Sequence, residues 1–166
     1  MKKSVGLILV MRLSENSVPM LILQRRGRWN TEKCAPESYP GCCQVTVHGG
    51  LKEDESFLEA LSRESREELG RAFTVTYEKD VHLIRLVEVR NDKKEVITYG
   101  GIVMPERLRL VQLGPDSGGF DPITMEEALQ IVPITDEMKI IGPPPGVRAM
   151  FPDEIEAVGK AFEFLL

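Results

Sequence analysis

Three glutamates in one short segment have the spacing of a metal-binding group. Glu64, Glu67 and Glu68 are three and four residues apart, so a helix would place their carboxylates on one side. Like charges at this spacing destabilise a helix by roughly 0.2–0.5 kcal/mol per pair. A hard divalent cation, which prefers oxygen ligands, would offset that repulsion. A glycine pair that begins at Gly49 precedes the segment, and cations held by carboxylates beside such turns commonly act on phosphates.

Local signals predict where the acidic helix begins and ends. Ser56 and Glu59 form a capping-box pair, which predicts a helix start at Ser56. Gly70 suits the C-terminal end, because glycine adopts left-handed backbone angles at little cost. Four residues follow helical spacing and are predicted to form the buried face, namely Leu58, Leu61, Ser65 and Leu69. The three glutamates lie off this face.

The same segment resembles the Nudix box, the pattern G-x5-E-x7-R-E-U-x-E-E-x-G-U, in which U is a bulky aliphatic residue. Every glycine and charged position of the pattern is matched, by Gly49, Glu55, Arg63, Glu64, Glu67, Glu68 and Gly70. Ser65 and Arg71 depart from the pattern at the two U positions. Ser65 weakens the packing expected under the helix but removes no proposed ligand. The resemblance implies one Nudix hydrolase domain over residues 1–166, with an α/β/α sandwich built on a mixed β-sheet.

The resemblance also implies an activity. MutT-like Nudix enzymes are pyrophosphohydrolases that act on acid anhydrides in phosphorus-containing substrates. The implied substrate is a small molecule, a nucleoside diphosphate linked to a further group X. Activated water would attack a phosphorus atom of the diphosphate, and the implied cofactor is Mg²⁺, with Mn²⁺ as the alternative.

Residue roles follow from the matched positions of the box. The implied metal ligands and catalytic carboxylates are Glu64, Glu67 and Glu68. Glu64 has a second implied role, as the base that deprotonates water. Arg63 would orient the carboxylates, and the carbonyl of Gly49 or Gly50 would complete the coordination. Glu55 is expected to support the site structurally.

An additional acidic ligand often comes from a later loop in this family. The corresponding segment here, residues 114–119, offers Asp116. Glu88 and Glu95, on a predicted hairpin, are the alternatives. Each of the three is otherwise an ordinary surface charge.

A long segment rich in arginine is the candidate substrate-binding region. Arg25, Arg26 and Arg28 are followed by Trp29, so guanidinium groups could clamp phosphates while the aromatic ring stacks on a base. The alternative is a solvated basic loop with the tryptophan packed beneath it. His48, just before the glycine pair, is expected to form local hydrogen bonds.

Composition narrows the class of partner. The 166 residues carry 21 Lys and Arg against 26 Asp and Glu, a net charge of −5, so no overall basic field favours nucleic acid or an anionic membrane. The longest apolar run, residues 5–11, is too short to span a bilayer. Cys34, Cys42 and Cys43 are odd in number and form no C-x-x-C pair, which favours a reducing, cytoplasmic location.

Hydrophobic patterns predict the remaining elements. Strands are expected at residues 4–13, 18–24, 42–47, 73–77, 81–90, 95–104 and 107–113. Helices are expected from Thr124 to about Ile131, behind a second capping box, and after Pro152 to the C-terminus. Residues 141–146 are expected to form an extended connector. The terminal helix would cover either its own sheet or a second subunit, so the sequence does not decide between a monomer and a homodimer.

Two other functions compete with hydrolysis. Gln24-Arg25-Arg26 and the long loop also resemble isopentenyl diphosphate isomerase, but His48 occupies the position where that enzyme carries its catalytic cysteine. A non-catalytic Nudix-fold nucleotide-binding module is the second alternative, although such modules typically lose box glutamates. The downstream signatures of the ADP-ribose, diadenosine polyphosphate and NADH subfamilies are missing, so the substrate is not identified.

Overall fold

The computed structural model describes residues 1–80 and 82–166. The strands are β1 Lys2–Met11, β2 Met20–Arg26, β3 Trp29–Asn30, β4 Ala35–Pro36, β5 Cys43–Gln44, β6 Val47–Gly50, β7 Ile84–Arg90, β8 Lys94–Val103, β9 Ser117–Ile123, β10 Val132–Pro133 and β11 Ala149–Met150. The helices are α1 Phe57–Leu69, α2 Arg71–Asp80, α3 Pro105–Leu108, α4 Met125–Ala128, α5 Met138–Ile141 and α6 Pro152–Phe164.

A mixed sheet forms the centre of the molecule. Among the described residues it has seven strands, with β1 in the middle. One edge of β1 pairs in parallel with β8, from Lys2 opposite Lys94 to Met11 opposite Val103. The other edge pairs with β6 and then with β2, both antiparallel. β7 extends the sheet beyond β8, while β5 and β9 pair with β2.

Side chains of β1 alternate between two hydrophobic cores, as expected for a strand buried on both faces. Val5, Leu7 and Leu9 pack with α1 and α2 on one face. Ile8 and Val10 pack with α6 on the other face. The structure is therefore the predicted α/β/α sandwich with a mixed sheet, and the terminal helix covers the sheet of its own chain.

Elements with strong local signals lie close to their predicted positions. β1, β2 and β8 begin and end within two residues of the predicted bounds. Helix α1 begins at its predicted capping box, in which Ser56 and Glu59 each accept a backbone hydrogen bond from the other. The second capping box, Thr124 with Glu127, opens helix α4 as predicted, but the helix ends at Ala128 rather than at about Ile131. The predicted strand 81–90 is observed from Ile84, and Val81 lies outside the described residues.

Two predicted strands are wrong. Residues 73–77 belong to helix α2, because Phe73 and Tyr77 are one helical turn apart and stack their rings at 5.2 Å against the sheet. Their β-branched neighbours Thr74 and Val75 gave the misleading strand signal. Residues 107–113 also form no strand, since Pro105 opens the one-turn helix α3.

Three further predictions need correction. Residues 42–47 divide into β5, which pairs with β2, and β6, which pairs with β1. Leu58 is 54% exposed, and Ala60 takes its place on the buried face of α1. Ile141 ends helix α5, so the irregular connector begins only at Gly142. Within the described part of the chain, the helices are too short and too polar for any of them to cross a membrane.

Candidate active site

Helix α1 is the scaffold of the acidic cluster. Its N-terminus is fixed by Ser56, whose side chain accepts from the backbone of Glu59 at 3.2 Å. Leu61 and Leu69 anchor it in the core below the sheet. Gly70 ends it with a φ of 87°, in the region that favours glycine. The helix therefore holds the carboxylates of Glu64 and Glu68 against β6.

Gly49 permits an unusually close approach between β6 and α1. Its backbone is set by antiparallel pairing with Val5 of β1. A Cβ atom at position 49 would lie 1.9 Å from Cδ of Glu64, far inside van der Waals contact. The absence of a side chain thus creates the space that the Glu64 carboxylate occupies.

Glu68 is partly buried, lines the cavity of the site and is held by two donors. Its Oε2 accepts a hydrogen bond of 3.1 Å from the Gln24 side-chain amide and one of 3.4 Å from the backbone N–H of His48. Burial, together with the negative charge of Glu64, raises the pKa of Glu68 to about 8. Burial also raises the pKa of Glu64, against the opposing effect of Arg63.

Arg63 connects the loop before α1 to the acidic cluster. Its Nε and Nη2 bind the two oxygens of Glu55 at 2.8 and 2.9 Å, and Nη1 binds Glu64 at 2.6 Å. Nη2 also donates to the carbonyl of Gly50 at 2.8 Å. The hydrogen bonds from Arg63 lower the pKa of Glu55 to about 2, and those to Glu55 raise the pKa of Arg63. The predicted orienting role of Arg63 is consistent with these contacts.

The acidic cluster fits a divalent cation by its chemistry. Glu64 and Glu68 are partly buried carboxylates that line the same cavity, and a cation would favour their ionised forms. Glu67 is the most exposed of the three, with its side chain 57% exposed and 3.7 Å from Arg63. In residues 1–80 and 82–166, no group of three or more His, Cys, Asp or Glu side chains is gathered closely enough to hold a metal ion as it stands. For all three glutamates to share one ion, Glu67 would have to rotate towards the other two.

A cavity of about 820 Å³ opens beside these carboxylates, within the size range of small-molecule sites. Among the predicted site residues, those that line it are Gly49, Glu64, Glu67, Glu68, Arg25, Arg26 and Asp116. Arg28 and Trp29 do not line it, and both are exposed. The two alternative acidic ligands lie elsewhere, Glu88 at 3.2 Å from Arg85 and Glu95 at 3.9 Å from Lys3.

The predicted substrate-binding arginines also hold the cavity wall. Arg25 donates to Asp121 at 2.8 Å and to the Gly41 carbonyl at 2.8 Å. Arg26 donates to the Ser38 carbonyl at 2.9 Å and to Glu37 at 3.1 Å. Both guanidinium groups therefore place positive charge beside the cavity in fixed orientations.

Asp116 has local partners on the cavity rim. Its carboxylate accepts from the backbone and hydroxyl of Thr31, at 3.0 and 3.2 Å. These contacts tie the loop before β9 to the ribbon formed by β3 and β4. The side chain lines the cavity without joining the glutamates.

Two buried polar residues of the cavity were missed by sequence reasoning. Gln24 holds Glu68. In the sequence it stood out only at the end of an apolar strand and in the run Gln24-Arg25-Arg26, and neither feature predicted a contact with Glu68. Glu154, in the first turn of α6, is 7% exposed and lines the cavity. Acidic residues in a first turn are common, so nothing in the sequence distinguished it.

The two buried thiols show no activated environment. None of the three cysteines forms a disulfide, and Cys42 and Cys43 are buried. Burial raises the pKa of Cys43 to about 12 and also raises the pKa of Cys42. Neutral thiols in these positions are packing residues rather than nucleophiles.

Comparison with solved structures identifies the fold. A MutT/Nudix family protein from Listeria innocua superposes with a TM-score of 0.64 and 22% identity, covering 99% of this chain and 93% of that one. An Ap4A hydrolase from C. elegans, solved as a binary complex, gives a TM-score of 0.61 and 13% identity, covering 99% and 98%. The C-terminal domain of mouse MUTYH, solved in complex with human PCNA, gives 0.57 and 12%, covering 98% and 88%.

The fold of this chain is therefore that of the MutT/Nudix proteins. No protein-family model matches the sequence, and no curated protein matches it either. The structural neighbours include both a hydrolase and a domain bound to another protein. Function must be argued from the site itself.

Proposed function

We propose that this protein is a Nudix-type hydrolase that depends on a divalent metal and cleaves the diphosphate bond of a nucleoside diphosphate linked to a group X. The observation that carries the proposal is the geometry of Glu64 and Glu68. Their two partly buried carboxylates line one cavity, one seated against Gly49 and the other held by Gln24. A folded protein keeps such unfavourable charge where a cation or substrate makes use of it.

The chain's own residues prepare the site for a metal. Glu64, Glu67 and Glu68 would hold Mg²⁺, or Mn²⁺ as the alternative, with the carbonyl of Gly49 as a neighbouring oxygen donor. When bound, the cation polarises phosphoryl oxygens and makes water more acidic. Arg63 keeps Glu64 in place at 2.6 Å. Glu64 either binds the metal or accepts the proton of the attacking water.

Positive charge from two arginines that line the same cavity suits the substrate. Arg25 and Arg26 line the cavity, and their fixed guanidinium groups would attract a diphosphate. Arg28 and Trp29 would contact only a substrate that extends out of the cavity. The isomerase alternative is not favoured, because it requires a reactive cysteine near the box and Cys42 and Cys43 are buried.

Phosphate release with a panel of substrates tests the proposal. Nucleotide sugars, dinucleotides, nucleoside triphosphates and prenyl diphosphates would be incubated with MgCl₂ and with EDTA. We expect Mg²⁺-dependent hydrolysis of at least one nucleoside diphosphate derivative. Glu68→Gln should abolish it, while Glu78→Gln, an exposed residue on α2, serves as the matched control. Activity that is insensitive to EDTA would contradict the metal assignment.

A Glu64 variant distinguishes between the two proposed roles of this residue, metal ligand and general base. Glu64→Gln should weaken Mg²⁺ binding measured by calorimetry if the residue is a ligand. If it is the base, Mg²⁺ binding should persist while turnover falls. A nucleotide that binds without any turnover by the parent protein would instead support the non-catalytic module.

A further inference from the structure

Asp121 joins two arginines that come from distant parts of the chain. Arg25 of β2 donates from Nη2 to Oδ2 of Asp121 at 2.8 Å. Arg148, just before β11, donates from Nε to the same oxygen at 2.8 Å and from Nη2 to Oδ1 at 3.0 Å. The side chain of Asp121 is only 14% exposed, so one largely buried carboxylate holds both guanidinium groups.

The three charged groups differ in their access to the cavity. Arg25 lines the cavity, whereas neither Asp121 nor Arg148 is among the described residues that line it. Within the described residues the Arg25 guanidinium donates two hydrogen bonds, to Asp121 and to the Gly41 carbonyl, each at 2.8 Å. N–H donors therefore remain for an anion. Because Arg148 engages both oxygens of Asp121, Arg25 only shares this carboxylate and keeps part of its positive charge for the cavity.

A β-bulge shapes the backbone at Arg25. The register between β2 and β9 shifts between Gln24 and Arg26, so that Gly118 and Gly119 of β9 together lie opposite Arg25. A Cβ atom at position 118 would lie 3.2 Å from the Cβ of Arg25, and Gly119 has a φ of 102°, which favours glycine. Bulges beside active sites commonly re-aim a side chain. The bulge and the Asp121 carboxylate thus both constrain Arg25.

The environment of Asp121 keeps its carboxyl ionised. Burial by itself would raise the pKa of Asp121, but hydrogen bonds from Arg148 and the positive charge of Arg25 hold that pKa below its usual value. A neutral side chain at this position would therefore remove the attraction that holds both arginines.

We infer that Asp121 and Arg148 are positioning residues for the diphosphate: Asp121 fixes the guanidinium of Arg25 at the cavity wall, and Arg148 holds Asp121 in place. The inference rests on the proposed function, since it takes the ligand of Arg25 to be a diphosphate. Neither positioning residue lines the cavity, so both act through Arg25. A guanidinium already held in one orientation loses less entropy when it binds a phosphate, which favours affinity.

Asp121→Asn is the principal variant, because asparagine has nearly the same shape but no charge with which to hold two guanidinium groups. Asp92→Asn, in the exposed turn between β7 and β8, is the matched control. Calorimetry with inorganic pyrophosphate in EDTA measures phosphate binding without metal or turnover, and hydrolysis kinetics separate KM from kcat. A double-mutant cycle with Arg25→Ala shows whether Asp121 acts through Arg25.

We expect Asp121→Asn to weaken pyrophosphate binding about tenfold, within the range for side chains joined in one ion-pair network. The variant should raise KM while kcat changes little. Arg148→Lys keeps the charge but cannot reproduce the paired contact with both oxygens of Asp121, so it should cause a smaller loss. In the Arg25→Ala background, Asp121→Asn should have no further effect, and the control should behave like the parent.

Parent-like pyrophosphate binding by both Asp121→Asn and Arg148→Lys would overturn the inference. An undiminished effect of Asp121→Asn in the Arg25→Ala background would do the same, because a purely structural defect does not depend on Arg25. So would a parent protein that binds no pyrophosphate. If Asp121→Asn fails to fold, Arg148→Lys decides the question in the same cycle. If no substrate is hydrolysed, the proposed function fails, and the pyrophosphate titrations alone then support or overturn the positioning role.

Discussion

The side-chain amide of Gln24 donates a hydrogen bond of 3.1 Å to Glu68, which lies 44 residues further along the chain. The same amide donates to the Thr46 carbonyl at 2.8 Å. One buried side chain thus connects β2, the segment before β6 and the acidic helix. Outer contacts of this kind orient metal ligands and tune their affinity.

Gln24→Leu should weaken Mg²⁺ binding roughly 10–100-fold, because Glu68 loses the donor that fixes its orientation. The free energy of unfolding should also fall by about 1–3 kcal/mol, since the Thr46 carbonyl is left unsatisfied. Calorimetric Mg²⁺ titration and urea denaturation measure the two effects. Gln130→Leu, on the exposed surface, is the control. Undiminished Mg²⁺ affinity in Gln24→Leu would refute this supporting role.

The two adjacent glycines should differ sharply on substitution. In Gly49→Ala the new methyl group would overlap Glu64, whose Cδ is 1.9 Å from the ideal Cβ position. At Gly50 the nearest atom is the Lys3 carbonyl oxygen at 3.8 Å, an ordinary contact. We expect kcat of Gly49→Ala to fall roughly 100-fold as Glu64 is displaced, with Gly50→Ala close to the parent. Similar activity of the two variants would contradict the close-packing argument.

Arg63→Lys should impair catalysis although the charge is retained. Lysine cannot reproduce the paired contacts with both Glu55 oxygens at 2.8 and 2.9 Å. We expect turnover to fall about 10–100-fold, and NMR titration should show the pKa of Glu55 rising from about 2. Arg66→Lys is the matched control. Arg66 is an arginine on the same helix, but it is half exposed and pairs with Glu78 at 3.8 Å. A normal rate for Arg63→Lys would exclude the orienting role.

Glu154 should make folding stability depend on pH. Burial raises its pKa from 4.5 to about 7, although nearby Arg26 opposes the shift and Asp153 adds to it. The folded protein therefore binds this proton more tightly than the unfolded chain, and stability falls as pH rises from about 4.5 to about 7. His48 acts in the opposite direction, because burial and nearby positive charge lower its pKa from 6.5 to about 4.

The difference in stability between the parent and Glu154→Gln isolates the contribution of this carboxyl to the pH dependence. Thermal unfolding of both, measured from pH 4.5 to pH 8, should show the variant losing less stability across that interval. The difference in free energy is at most about 3 kcal/mol. Parallel curves over the whole range would show that Glu154 titrates normally.

Ser65 occupies a box position that the family pattern gives to a bulky aliphatic residue. It is buried beside a second cavity of about 210 Å³, whose lining includes Leu7, Leu61 and Tyr77. Ser65→Leu should fill this space and stabilise the fold by about 0.5–2 kcal/mol, seen as a rise in the urea midpoint. Ser65→Ala, which removes the hydroxyl without filling the space, is the control. A lower midpoint for Ser65→Leu would mean that the cavity cannot accept the side chain.

Local features of the sequence were sufficient for the acidic helix. Its capping box, its terminal glycine and the spacing of its glutamates act between residues no more than about four positions apart. Such contacts form in one helical turn whatever the rest of the chain does. The strand β1 was equally predictable from the sequence, because a period of two assigns its side chains alternately to opposite faces of the sheet.

Only the tertiary structure decided how the site is completed. Gln24 reaches Glu68 across 44 residues and Glu154 reaches Val45 across 109, and no local pattern encodes contacts of that range. The helix at 71–80 likewise formed because Phe73 and Tyr77 found a core to pack against, which overrode the strand preference of their neighbours. The sequence by itself determined which groups carry the negative charge. Strand pairing and burial decided which of those groups share a cavity, because pairing and burial depend on residues that meet only when the sheet forms.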